Sequence, residues 1–282
     1  MTREEYFALR KRLEFQPRKG WNLAAAVFAT LGFVVVTIVP WWAAIIAAPI
    51  GAAAMFLAFA LFHDAVHASL SRHRFWNDLG GHVFGVLCML PYDSWRSIHR
   101  AHHTWAGNEA QDPTAAAVRK WRKDGVPGPL RLAWRFYIPL GSVVQHIVFW
   151  RRSPRQAGAV LAIYACVAGF LGWRALNLIP SVLAYLVLTE IVNAPHHTGL
   201  GSIAGKLPVW DQPRFTRSCR FPFDVLVGYF NLHAEHHVFP DLPWSRLPDA
   251  SKLLCGNLPH VLINSSMKYR NRSLEQIIAY DD

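Results

Sequence analysis

One long uncharged stretch constrains this chain most strongly: the 42 residues from Trp21 to Phe62 contain no Asp, Glu, Lys or Arg. A transmembrane helix needs about 20 apolar residues, so this stretch is long enough for two crossings. Pro40-Trp41-Trp42 predicts the turn between them, because tryptophan favours the membrane interface. Residues 156–195 contain a second apolar stretch, interrupted only by Arg174 and Glu190. We therefore predict an all-α integral membrane protein with four transmembrane helices in two hairpins.

The positive charge of the chain follows this division. The net charge is +11, and 28 of the 29 Lys and Arg residues fall within residues 1–20, 63–155 and 196–282. Positive residues concentrate on the cytoplasmic side of membrane proteins. We therefore predict a single domain in a bacterial inner membrane, with both termini cytoplasmic. The charge is interpreted as contact with lipid head groups, and nucleic acid is not expected as a partner.

Three histidine clusters follow the apolar stretches and indicate a metal centre. They are His63/His67, His99/His102/His103 and His233/His236/His237. Spacings of three and four residues place such side chains on one face of a helix. Nitrogen ligands without thiolates suit zinc, iron, copper or nickel. Eight histidines exceed the four ligands of one tetrahedral zinc, which favours two ions. The clusters are predicted to lie in a cytoplasmic cap over the helices.

One shared metal centre also constrains the topology. Leu79–Tyr92 and Phe136–Trp150 are uncharged but short for a crossing, and a crossing by either would separate the histidine clusters. Both are therefore predicted to be interfacial or re-entrant helices. Residues 104–129 carry Asp112-Pro113 and Pro127-Gly128-Pro129, which predict a cytoplasmic loop with turns.

Several polar residues near the clusters invite a functional interpretation. Asp64 is expected either to accept a hydrogen bond from a histidine ligand or to be an exposed helix-end residue. Glu235 is expected in a supporting or solvent-facing role, with a catalytic base as the alternative. Glu190 and Asn193 stand near the end of the last apolar stretch, where polar side chains are costly and usually functional. The HExxH pattern of zinc hydrolases is absent.

The clusters HDAVH, HRAHH and HAEHH, the last followed by VFP, resemble the three histidine boxes of the membrane fatty acid desaturase superfamily. The resemblance extends from about Leu61 to Leu254 and includes Asp112-Pro113 after the second box and Asn231 before the third. It implies a di-iron enzyme that uses O2 to abstract hydrogen from a lipid acyl chain, with the eight clustered histidines as ligands. It also implies a further ligand after the last transmembrane helix. His197 fits that position, with Asn193 four residues earlier helping through water, and His196 is the alternative.

The sequence departs from the family pattern at Ala68, where many members have glycine after the first box. No fused cytochrome b5-like domain is recognisable, so the resemblance implies a separate ferredoxin or cytochrome b5-like electron donor. The basic cytoplasmic face would either receive this donor or contact lipid. A lipid or carotenoid hydroxylase or ketolase is the alternative function, and a non-catalytic metal-binding or transport protein is a third.

Overall fold

The computed structural model describes residues 1–197, 200, 202–219, 223–254 and 262–263. Over these residues the chain is mainly helical, as predicted, with one pair of short parallel strands, β1 (Ser218–Cys219) and β2 (Leu262–Ile263). The α-helices are, in chain order, α1 (Arg3–Arg10), α2 (Trp21–Ile38), α3 (Ala44–Val66), α4 (Arg74–Leu87), α5 (Tyr92–Trp105), α6 (Ala116–Asp124), α7 (Gly128–Arg135), α8 (Leu140–Arg152), α9 (Pro154–Leu171), α10 (Leu178–His197), α11 (His233–Val238) and α12 (Leu247–Leu254).

The first uncharged stretch forms a hairpin of α2 and α3, with its turn at the predicted position. Helix α3 is central, because every residue from Gly51 to Val66 is buried. Helix α2 instead exposes apolar side chains such as Leu23, which is 70% exposed. A methyl group on Gly51 would lie 2.2 Å from the Ser181 hydroxyl oxygen. Glycine at this position therefore permits the close packing of α10 against α3.

The second apolar stretch forms α9 and α10, separated by a 3-10 helix at Gly172–Asn177. The Asn177 side-chain amide donates a hydrogen bond of 2.9 Å to the carbonyl oxygen of Val39. This bond fastens the turn between α9 and α10 to the turn between α2 and α3. The two turns therefore lie at the same end of the helices, opposite His63 and His197.

Three helical stretches among the described residues are long and apolar enough to cross a membrane. They are Trp21–Ile38, Trp41–Val66 and Pro154–Asn193, the last of which contains both α9 and α10. The four-helix count remains a prediction. Helices α4 and α8, from the two shorter uncharged stretches, are not among these candidates, and α8 exposes Val144, Ile147 and Val148. Such a one-sided apolar surface suits the interfacial position predicted for α8.

Residues 104–129 differ from the predicted loop, because they contain α6 and the start of α7. Val118 and Trp121 of α6, and Leu130 and Trp134 of α7, pack against the buried side chain of Val126. Burial of this small apolar cluster stabilises the helix. The turn residues Asp112-Pro113 and Gly125 are confined to its two flanks.

The basic segment at residues 1–20 packs against the region of the third histidine cluster. Tyr6 and Leu9 of α1 are buried in a cluster with Phe239. The Arg10 guanidinium donates a 2.9 Å hydrogen bond to Asp241, and the Arg18 guanidinium donates a 2.6 Å bond to Asp249. We call this arrangement the α1 clasp, defined by residues 6–18 and their partners in 239–254.

Ala68 provides a first testable prediction. It has a φ of 60°, in the left-handed region that costs a non-glycine residue about 1–2 kcal/mol. Glycine removes this strain but adds about 0.4–1 kcal/mol of unfolded-state entropy. We expect Ala68→Gly to stabilise the protein by about 0.5–1 kcal/mol, with an apparent Tm about 1–4 °C higher. Thermal unfolding in detergent beside Ala65→Gly, a buried helical position, measures the effect; a lower Tm for Ala68→Gly contradicts it.

Candidate metal centre

The predicted histidine clusters converge at one end of α3 and α10, together with His197. Helix α3 ends at Val66, so His63 lies in its last turn and His67 directly follows it, while α5 and α11 carry the second and third clusters. Helix α10 continues past Pro195 and ends at His197. The convergent side chains are His63, His67, His99, His102, His103, His197, His233, His236 and His237.

Eight of these side chains divide into two groups that could each hold a metal ion, with potential ligand atoms within 4.8 Å of one another. The first group combines all three clusters and consists of His63, His67, His99 and His236. Within it, the Nε2 atoms of His67 and His99 lie 2.9 Å apart. His103 adjoins this group, since its Nε2 atom lies 3.1 Å from that of His99 and 2.9 Å from that of His236.

The second group consists of His102, His197, His233 and His237. The Nε2 atom of His197 lies 2.8 Å from that of His233 and 3.0 Å from that of His102. The second and third clusters therefore contribute to both groups, whereas both histidines of the first cluster belong to one. Neighbouring histidines on α5 and α11 face different groups.

The chemical state of these rings fits a metal centre. Burial, and secondly the positive charge of neighbouring imidazoles, lowers the pKa of six of them: His99, His103, His197, His233, His236 and His237. Neutral imidazole is the form that binds metals. The Nε2 atom of His63 is buried without a hydrogen-bond partner. Lone pairs that face one another across about 3 Å are best satisfied by a cation between them.

Three of the rings are oriented by hydrogen bonds from the opposite nitrogen, Nδ1. In His102, Nδ1 donates to Asp112 at 2.7 Å, and in His237, Nδ1 donates to the Gln212 side-chain oxygen at 2.8 Å. In His197, Nδ1 donates to the carbonyl oxygen of Phe215 at 3.0 Å. Because Nδ1 carries the proton, Nε2 is left as the free electron-pair donor. All three rings belong to the second group.

Asp112 is held as an anion by these contacts. Burial would raise the pKa of its carboxyl, but the electrostatic interaction and the hydrogen bond with His102 outweigh that effect and lower it. Thr114 adds a hydroxyl hydrogen bond of 2.7 Å. In the sequence, Asp112 stands out as part of a turn and of the family resemblance after the second histidine box, without a predicted role. Gln212 and Phe215 were not predicted, because they lie far from any histidine box in the chain.

His196 and Asn193 occupy different positions from His197. The His196 ring stacks on the His233 ring at 4.1 Å between centroids, and its buried Nε2 atom has no hydrogen-bond partner. It belongs to neither group of four, so the geometry favours His197 as the further histidine. Asn193 lines the same cavity as both histidines. The structure shows no hydrogen bond between Asn193 and a described histidine side chain, and its role through water remains a prediction.

The three acidic residues singled out in the sequence all have protein partners. The Asp64 carboxylate accepts a hydrogen bond from the backbone N–H of Trp244 and not from a histidine, and its side chain is buried and not exposed. Glu235 is also buried and accepts a hydrogen bond from the Ser218 hydroxyl, which contradicts a solvent-facing position. Glu190 accepts a bond of 2.8 Å from the backbone N–H of Ser142, in the first turn of α8. A carboxylate there suits the positive end of the helix dipole.

A cavity of about 540 Å³ adjoins the histidines. Its lining includes His102 and His233 of the second group and His99 of the first. Apolar side chains such as Trp95, Ile98 and Phe149 form part of its wall. Cavities of a few hundred cubic ångströms with apolar walls and a few polar groups are typical small-molecule sites.

Comparison with known proteins identifies the family of the chain. Residues 40–264 match the family described as fatty acid desaturase. The chain is 25% identical over 238 residues to an sn-1 acyl-lipid omega-3 desaturase (ferredoxin) of Synechocystis sp., covering 70% of this chain and 63% of the relative. It is 26% identical over 262 residues to an sn-1 oleoyl-lipid 12-desaturase of Anabaena variabilis, covering 80% and 73%.

A plant protein is similarly related. The chain is 25% identical over 232 residues to an acyl-lipid omega-3 desaturase (cytochrome b5), endoplasmic reticulum, of Arabidopsis thaliana, with 69% of this chain and 59% of the relative covered. The chain therefore spans about three fifths of the length of this relative and of the Synechocystis protein.

Proposed function

Because the chain belongs to the fatty acid desaturase family, we propose that it is an O2-dependent oxidoreductase that introduces a double bond into a lipid acyl chain. The convergence of nine histidine side chains beside a partly apolar cavity carries this proposal. Long apolar helices end at the histidines, which gives a membrane lipid direct access to the site. We place the protein in a bacterial inner membrane, with four transmembrane helices and the histidines on the cytoplasmic side.

We propose two iron ions as the cofactor. The first would be held by His63, His67, His99, His103 and His236, and the second by His102, His197, His233 and His237, with Asn193 contributing through water. When bound, the iron ions would activate O2 for removal of hydrogen from an unactivated C–H bond. Asp112, Gln212 and the Phe215 carbonyl would orient three rings of the second group through their Nδ1 atoms.

The electron balance requires a donor. Reduction of O2 to two water molecules consumes four electrons, and removal of two hydrogen atoms from the substrate supplies two of them. The other two, with two protons, would come from a separate ferredoxin or cytochrome b5-like protein. Relatives whose names specify ferredoxin or cytochrome b5 support this kind of partner.

The apolar cavity wall would hold the hydrocarbon and exclude bulk water from the reacting carbons. Phe59 and Trp95 line the cavity and also contact the His63 ring, at 6.1 and 5.8 Å between centroids. These aromatic rings would bring an acyl chain next to the first group of histidines. Saturated carbons have no polar group to recognise, so the shape of the cavity would select the position of the new double bond.

Lipid profiling of a bacterial host tests the proposal, with the wild type expressed beside His236→Ala and a co-expressed ferredoxin. We expect a new acyl double bond in the wild-type lipids that is absent with the variant. A gain of one oxygen in acyl chains, or a ketone on a co-produced carotenoid, would assign the hydroxylase or ketolase function instead. Metal uptake into vesicles without lipid oxidation would indicate a transport protein.

A further inference from the structure

Asp64 is a buried carboxylate between the two histidines of the first cluster. Asp64 is only 1% exposed. Both carboxylate oxygens accept the backbone N–H of Trp244, at 3.0 and 3.3 Å. A buried polar group is costly unless a hydrogen bond offsets the lost hydration. The bond to Trp244 therefore explains how Asp64 is accommodated beside the metal centre.

Trp244 is fixed to the same region by its side chain. Its indole N–H donates a bond of 3.1 Å to the Asn22 side-chain oxygen. The Asn22 amide in turn donates a bond of 3.4 Å to the carbonyl oxygen of Leu70, just after α3. The Trp244 ring also packs against Trp21 at 5.6 Å between centroids. Backbone and side chain of Trp244 are thus both attached to the ends of α2 and α3.

Only five residues, 239–243, separate Trp244 from the end of α11. Phe239 and Leu242 in this link are buried, and the Leu242 N–H donates a 3.0 Å bond to the Phe239 carbonyl oxygen. A short and packed link transmits the position of Trp244 to α11. The bond from Trp244 to Asp64 therefore ties α11, which carries His236, to the end of α3, where His63 and His67 lie.

We propose that Asp64 is a positioning residue that aligns His236 with His63 and His67 by holding Trp244. The inference rests on the two-metal centre of the proposed function. Its effect is selective, because the first group contains the histidines at the end of α3 and the second contains none of them. Loss of the bond is therefore expected to release the first metal ion and to leave the second in place.

The test is the metal content of the purified protein loaded anaerobically with ferrous iron. We expect two iron ions per chain in the wild type and about one in Asp64→Ala. Asp64→Asn retains an oxygen that can accept the Trp244 N–H. This variant should keep both ions but release one of them to a chelator up to about 10-fold faster, because substitutions of residues that support metal ligands typically weaken metal binding. Asp93→Ala is the matched control, since Asp93 lies on the histidine-bearing α5 but bonds only Gln156 among the described contacts.

The outcomes distinguish the role of Asp64 from the two-metal centre itself. Two ions per chain in a monodisperse Asp64→Ala protein, or equal depletion of both ions, would overturn the role of Asp64 alone. Fewer than two ions in the wild type would contradict the two-metal centre itself. If Asp64→Ala does not remain folded, the chelator release rates of Asp64→Asn decide, and wild-type rates for both ions would overturn the inference.

Discussion

Alanine at His236 and alanine at His237 are expected to remove different metal ions, although the two residues are neighbours on α11. His236 belongs to the first group and His237 to the second. On the proposed function, each single variant should retain about one ion and desaturate more than about 100-fold more slowly. Loss of a residue that supports a metal ligand already lowers metal affinity or activity about 10–100-fold, so loss of the ligand itself should lower it at least as much.

Double variants make this assignment sharper. His233→Ala/His237→Ala affects only the second group and should still hold about one ion, whereas His236→Ala/His237→Ala should hold none. Metal analysis of the purified proteins gives the result, and His82→Ala, an exposed histidine on α4, is the control. If one ion remained in both double variants, the third cluster would bind a single metal and the two-group assignment would be wrong.

Acid is expected to destabilise the metal-free protein steeply below about pH 6.5. Five histidines outside the apolar helices, His99, His103, His233, His236 and His237, have a pKa well below the usual value of 6.5, mainly because of burial. Their pKa returns to about 6.5 in the unfolded chain, which therefore binds more protons as the pH falls. Stability is fully present above about pH 6.5. It falls by about 1.4 kcal/mol per pH unit for each such histidine, until the folded pKa is reached.

Thermal unfolding of metal-free protein measures this effect. Between about pH 7.5 and about pH 5.5 we expect the apparent Tm to fall by more than about 10 °C, since 1 kcal/mol corresponds to about 2–4 °C for a chain of this size class. Iron-loaded protein should resist the same acidification until protons displace the metal. An unchanged Tm down to about pH 5.5 would mean that these rings are already protonated, or accessible to water, in the folded protein.

The convergence of the histidines was predictable from the sequence, and their division into two groups was not. Spacings of three and four residues require His233, His236 and His237 to share one helical face. They do not reveal where two neighbouring helices cross that face, which decides whether a ring meets His63 or His102. The choice between His196 and His197 likewise depends on the rotation of α10 at its last turn.

The hydrogen bonds that support the histidines could not be predicted from the sequence, for a different reason. Gln212 meets His237 across 25 residues, and Asp64 meets Trp244 across 180, so neither contact leaves a local pattern. The helix at α6 was missed because its stabilising partners lie in the following turn and in α7. Ala68 was noticed as a departure from the family, and its positive φ gives the physical reason why glycine is common there.

The α1 clasp has a consequence for biosynthesis. A ribosome delivers residues 6–18 before their partners at 239–254, which emerge more than 220 residues later, after both apolar stretches have entered the membrane. Until then α1 has no surface on which to dock. The first metal group has the same requirement, because His63 must await His236. The α1 clasp and the metal centre are therefore completed in one late step of maturation. A partly synthesised chain lacks the full set of metal ligands until then.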